Sequence, residues 1–138
     1  MKRIPMFLLM VLMIAALGLA ACDPRATAIE KIDPAIVEEI EGSELKRVIL
    51  TEKAAERIGL NTVPMDGMVV PYSAVIYDTQ GNTWVYTNPQ PLTFVRTPIV
   101  IDRIEGDQAF LSQGLETEAP IVTVGVVELY GAETGVSK

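Results

Sequence analysis

The sequence predicts a mainly β fold: a small β-barrel or an open antiparallel sheet with one short helix, preceded by an N-terminal signal helix. Three observations carry this reading. Between Val69 and Val124, apolar β-branched runs are closed repeatedly by Gly, Asn, Asp or Pro, the punctuation of short strands. The stretch from Thr51 to Gly59 carries both a helix start and a helix stop. At the N-terminus, Met1-Lys2-Arg3 is followed by an uncharged run from Ile4 to Ala21.

Composition bounds what such a fold can do. A chain of 138 residues suits one domain of ordinary size. Aromatic residues are only 6%, so the core falls to Val, Ile and Leu. There is no His and a single Cys, which removes His-based acid–base chemistry, Cys/His zinc sites and intrachain disulfides together. The net charge is −7, and loss of Lys2 and Arg3 with a signal leaves nine basic against eighteen acidic groups, a net of −9. An acidic chain without a basic stripe is unsuited to nucleic acid. No residue pattern calls for a catalytic group, a metal or a cofactor.

The first 21 residues have the charged start, apolar middle and small-residue cleavage zone of an export signal. They end in Leu19-Ala20-Ala21-Cys22, which resembles the lipobox of bacterial lipoproteins. That resemblance implies cleavage after Ala21 and lipid attachment at Cys22, anchoring the protein on a membrane rather than through it. The rival reading is an uncleaved spanning helix, for which the apolar run is just long enough. In double-membrane bacteria Asp23 resembles the signal for staying on the inner membrane. Residues 22 to 34, polar and bracketed by Pro24 and Pro34, read as a tether.

Residues 35 to 130 are the expected domain. Ala35–Ile40 and Leu45–Leu50 read as two strands around a Gly42 turn, with a helix from Pro34 to Ile40 as the rival. Thr51 is a good N-cap, Glu52 suits the first turn, and Gly59 suits C′, so Thr51–Ile58 reads as a two-turn helix. Leu60–Met65 is extended and Asp66-Gly67 a turn. Tyr72–Tyr77 and Thr83–Thr87 form a hairpin with Ile76 facing Trp84, Val75 facing Val85 and Ala74 facing Tyr86. Neither face of this hairpin is purely polar, which predicts cover on both sides and a buried Trp84. Asn88-Pro89-Gln90-Pro91 breaks the sheet. Strands follow at Leu92–Arg96, Ile99–Ile104 and Gln108–Ser112, with Pro98 marking an edge or bulge and Gly106-Asp107 a turn. Ile121–Val127 is the last strand, and residues 131 to 138 read as a flexible tail.

Three side-chain groups invite a functional reading and receive a plainer one. Met65 and Met68 suit monovalent copper, but two thioethers alone are better read as packing. Asp102, Glu105 and Asp107 match no calcium loop and read as a solvated turn. Arg96 and Arg103 read as surface ion-pair partners.

The chain also resembles the membrane-fusion, or periplasmic adaptor, family: the adaptors of resistance-nodulation-division efflux pumps and the haemolysin-D-type secretion adaptors. One block is Val48-Ile49-Leu50-Thr51, Ala54–Leu60 and Thr62-Val63-Pro64. The second is Val70–Val75, Gly81, Trp84-Val85-Tyr86, Phe94-Val95-Arg96, Gly106-Asp107, Gly114-Leu115 and Ile121–Gly125. The family's lipoyl-like domain and helical hairpin would fall between Pro64 and Val70, where this chain has only a short link, and Glu116–Pro120 lacks the Gly usual before the last strand. The resemblance implies a lipid-anchored, extracytoplasmic accessory subunit on an inner-membrane transporter, shorn of the conduit. The alternative is a free-standing lipoprotein that binds a small ligand or a metal.

Overall fold

A computed structural model describes residues 33–65, 67–115 and 117–136. The expected signal, its cleavage point at Ala21, Cys22 and nearly all of the tether lie outside the described residues. Mainly β structure is present, as two antiparallel sheets. The larger has the order β1 (Ala35–Glu39), β2 (Lys46–Leu50), β7 (Thr93–Ile99), β6 (Thr83–Gln90), β10 (Ile121–Val124) and β3 (Asn61–Val63), with β5 (Ile76–Tyr77) paired to β6, and the smaller is β4 (Val69–Pro71), β9 (Gln108–Leu111) and β8 (Ile101–Glu105). Of the two predicted forms, the open sheet is the one adopted: among the described residues the larger sheet ends at β1 and β3 and does not close into a barrel.

β1 (Ala35–Glu39) and β2 (Lys46–Leu50) pair around Gly42, whose φ of 77° explains a glycine there. Strand pairing along all of Ala35–Glu39 disposes of the rival helix. The short helix forms as α1 (Glu52–Arg57), with Thr51 Oγ1 accepting from the Ala54 amide at 3.2 Å. β3 is Asn61–Val63 and β4 is Val69–Pro71. The chain then makes a 3₁₀ turn at Tyr72–Ala74, so β5 is only Ile76–Tyr77. Ile76 faces Trp84 and Tyr77 faces Thr83 as expected, but the further pairs at Val75 and Ala74 do not form. The reason is a change of sheet. Tyr72 N–H bonds the Asp107 carbonyl beside the smaller sheet, and the turn carries the chain across to the larger one.

β6 (Thr83–Gln90) runs through Asn88 and Pro89 instead of stopping before them. A register shift after Thr87 accommodates the proline, and the reversal comes later, where Leu92 takes φ 58°. β7 (Thr93–Ile99) also runs through its proline, since β2 accompanies it only at Thr93–Val95 and leaves Pro98 on an open flank. β8 (Ile101–Glu105) and β9 (Gln108–Leu111) form the Gly106-Asp107 hairpin. β10 (Ile121–Val124) is shorter than predicted, because Gly125 at φ 91° ends it and starts helix α2 (Val126–Thr134). The predicted tail is thus corrected over residues 131 to 134, which are helical. Val126, Leu129 and Glu133 lie at spacings of three and four, one face of a helix, and all are buried.

The larger sheet is covered on both sides. One core holds Val48, Leu50, Tyr86, Phe94 and Val122 beneath α1 and α2. The other holds Val70, Val85, Ile99, Leu111 and Ile121 between the two sheets. Val85 against Tyr86, and Ile121 against Val122, show the alternation that sends neighbours to opposite faces. Each such large apolar side chain contributes about 1.5–3 kcal/mol on full burial.

Candidate functional site

Strand pairing sets Tyr86 of β6 directly opposite Arg96 of β7. Above them α2 lowers Glu133, whose carboxylate accepts the Tyr86 hydroxyl hydrogen bond and pairs with the Arg96 guanidinium at 3.1 Å. The Arg96 guanidinium carbon lies 4.4 Å from the Trp84 ring centre and 5.7 Å from that of Tyr130. This is a latch between sheet and helix. Burial first, then the bond to Glu133 and its negative charge, push the Tyr86 hydroxyl well above its ordinary pKa. Tyr86 therefore stays protonated and donates. The one unsatisfied buried side-chain atom among the described residues is Arg96 Nε.

Two sequence expectations are corrected here. Arg96 is not a surface ion-pair partner, since its side chain is 15% exposed and its carboxylate partner 4%. Trp84 is not in the core: it is half-buried, with its indole N–H donating to Asp78 at 3.0 Å. The fully buried aromatics are Tyr86 and Phe94. Glu133 is not legible in the sequence, because an isolated carboxylate between Gly131 and Gly135 carries no local sign of burial; the helical spacing from Val126 is the one signal that points to it.

The remaining sequence candidates lie apart from this latch. Met65 packs against the intersheet core, while Met68 is 46% exposed. Arg103 bridges Asp102 at 3.1 Å and Glu105 at 2.7 Å on the surface and lies over Phe110, leaving the acidic turn solvated as read. Among the described residues no cluster of His, Cys, Asp or Glu could hold a metal, and no helix is long and apolar enough to cross a membrane. Asp78 organises the β5–β6 loop by accepting from Asn82, Trp84 and the Gln80 and Asn82 amides, and the Asn82 bond above all lowers its carboxyl to about 2.

Two concavities border these elements. A shallow depression of about 690 Å³ is lined by Tyr77, Asn82, Trp84, Pro98 and Ile101. A groove of about 290 Å³ separates β1 from α2, lined by Pro34, Ala35, Val37, Gly131, Ala132 and Gly135. Beside it, Ile36 and Val37 are exposed on the outermost strand. No known protein family, curated protein or solved structure matches the chain.

Proposed function

We propose that this protein is a lipid-anchored, extracytoplasmic accessory subunit that docks on a membrane transporter. The observation that carries the reading is Cys22, the only cysteine of the chain, placed at the end of a lipobox-like Leu19-Ala20-Ala21. The resemblance of two blocks, covering most of residues 47 to 125, to parts of periplasmic adaptors supplies the kind of partner. Lipid attachment at Cys22 leaves eleven steps of chain to Asp33, a reach of at most about 40 Å at ~3.6 Å per residue. Within that radius the domain meets a membrane protein at a high effective concentration, so a modest docking surface suffices. The protein acts by docking rather than by catalysis. In the latch the ionisable groups are spent on one another: Glu133 on Arg96 and Tyr86, with Tyr86 held neutral.

Affinity purification from crosslinked native membranes, run beside Cys22→Ala, tests this. Recovery of an inner-membrane transporter with the native form and its loss with Cys22→Ala is the expected result. An anchored, folded native protein that recovers no membrane protein would overturn the proposal and leave the ligand- or metal-binding lipoprotein, with the depression beside Trp84 as the place to look.

A further inference from the structure

We infer that the groove between the open edge of β1 and helix α2 is a binding site for an extended, basic segment of a partner polypeptide, which adds to the larger sheet as an extra strand. This does not depend on the transporter reading. The first support is the backbone. The Pro34 carbonyl accepts from the Thr51 amide, and the Ile40 amide donates to the Leu45 carbonyl, so even-numbered residues of β1 bond to β2. By the alternation of antiparallel pairing, the N–H and C=O groups of Ala35, Val37 and Glu39 point away from the sheet. Among the described residues no strand pairs with that side. An edge of five residues with exposed Ile36 and Val37 carries no proline or lysine, and its only charged residues, Glu38 and Glu39, guard it against acidic strands but not basic ones.

The second support is the wall opposite. Ala35, Val37 and Glu39 share a face, and on that face α2 rises beside the edge with Gly131, Ala132 and Gly135 toward the gap. Small residues on the helix leave room for side chains of an incoming strand. A volume of about 290 Å³ falls just below the range of roughly 300–1,000 Å³ typical of small-molecule sites, so the groove suits one or two side chains. Edge hydrogen bonds with alternate side chains in a groove are the elements of strand-addition recognition.

Charge selects the occupant. Glu38, Glu39, Glu41 and Glu44 are all exposed at the β1–β2 turn, and among the described residues only Glu38 has a cation, Arg47 at 3.5 Å. Lys or Arg on the added strand would meet Glu39 and Glu41. A second copy of this chain, itself at −7, brings the wrong sign.

The test uses the full-length protein in mild detergent and a blocked seven-residue peptide of alternating Lys and Val, beside the same peptide with Glu for Lys. Fluorescence anisotropy reads affinity, and amide hydrogen exchange reads protection across residues 35 to 39. The Lys peptide should bind and protect that edge, and the Glu peptide should not. Val37→Pro removes an outward donor without touching the β1–β2 ladder, and should weaken binding about tenfold or more. Gly131→Leu fills the groove from the helix side and should do the same, with Trp84 fluorescence reporting that each variant is folded. Equal binding of both peptides would overturn the proposal, as would no binding up to about 1 mM. A dimer in the absence of peptide that Val37→Pro dissociates would overturn it in favour of a second copy.

Discussion

Replacing Glu133 by Ala should be among the most damaging single changes in the domain. The substitution leaves the Arg96 guanidinium without its carboxylate and the Tyr86 hydroxyl without its acceptor, both beneath α2. Removing one member of a buried ion pair costs about 3–5 kcal/mol, because a charge stays behind unpaired. Arg96 is 15% exposed and keeps its contact with Trp84, which places the expected loss near the lower end, at about 3 kcal/mol. Emptying the latch is a different perturbation. Arg96→Met with Glu133→Leu and Tyr86→Phe removes the charges and the orphaned hydroxyl together, and should cost about 1 kcal/mol or less. Urea unfolding followed by the fluorescence of Trp84, the only tryptophan, measures all of these. A double-mutant cycle over Arg96 and Glu133 should give a coupling of about 2 kcal/mol. A coupling under about 0.5 kcal/mol, or a triple variant less stable than Glu133→Ala, would refute the latch.

Other outcomes follow from the same structure. Leu129→Ala should cost about 2–5 kcal/mol by urea unfolding, since Leu129 is completely buried on the inner face of α2. Gly125→Ala should cost about 1–2 kcal/mol, because Gly125 holds φ 91° and an added methyl would lie 3.1 Å from the Ile58 side chain. A thermal shift indistinguishable from wild type would contradict that backbone requirement. Asp78 has a carboxyl lowered from 3.8 to about 2, so its contribution to the loop is complete above the ordinary value and lost as pH falls through about 2. Trp84 fluorescence should report that step, and Asp78→Asn should abolish it. A midpoint near the ordinary carboxylate value would show that the hydrogen bonds to Asp78 are not kept in solution.

Local chemistry made much of the fold readable. The Thr51 cap, the Gly59 stop, the Gly42 and Gly106 reversals and the Ile76–Trp84 register each rest on residues within a few positions of one another. The failures share the opposite character. The change of sheet at Tyr72–Ala74 depends on the Asp107 carbonyl, and the burial of Glu133 depends on Tyr86 and Arg96, both distant in sequence. The two prolines differ. Pro89 reads as a break yet lies inside β6 at a register shift, whereas Pro98 reads as an edge and does lie where the neighbouring strand has already departed. The groove beside β1 is illegible in the sequence because it needs α2, whose residues read as the end of a strand and a tail.

The position of α2 also governs when this domain can become a domain. A chain made from its N-terminus holds Val48, Tyr86 and Phe94 long before it holds Val126, Leu129 and Glu133. β3 likewise waits for β10, some sixty residues downstream, to find its ladder partner. Pairings so far apart in sequence form slowly and late. Until residues 121 to 134 have been synthesised, Arg96 lacks Glu133 and the sheet lacks the half of its cover that α2 supplies. If the chain is exported as proposed, that delay would leave it loose enough to thread through a membrane before it settles on the far side.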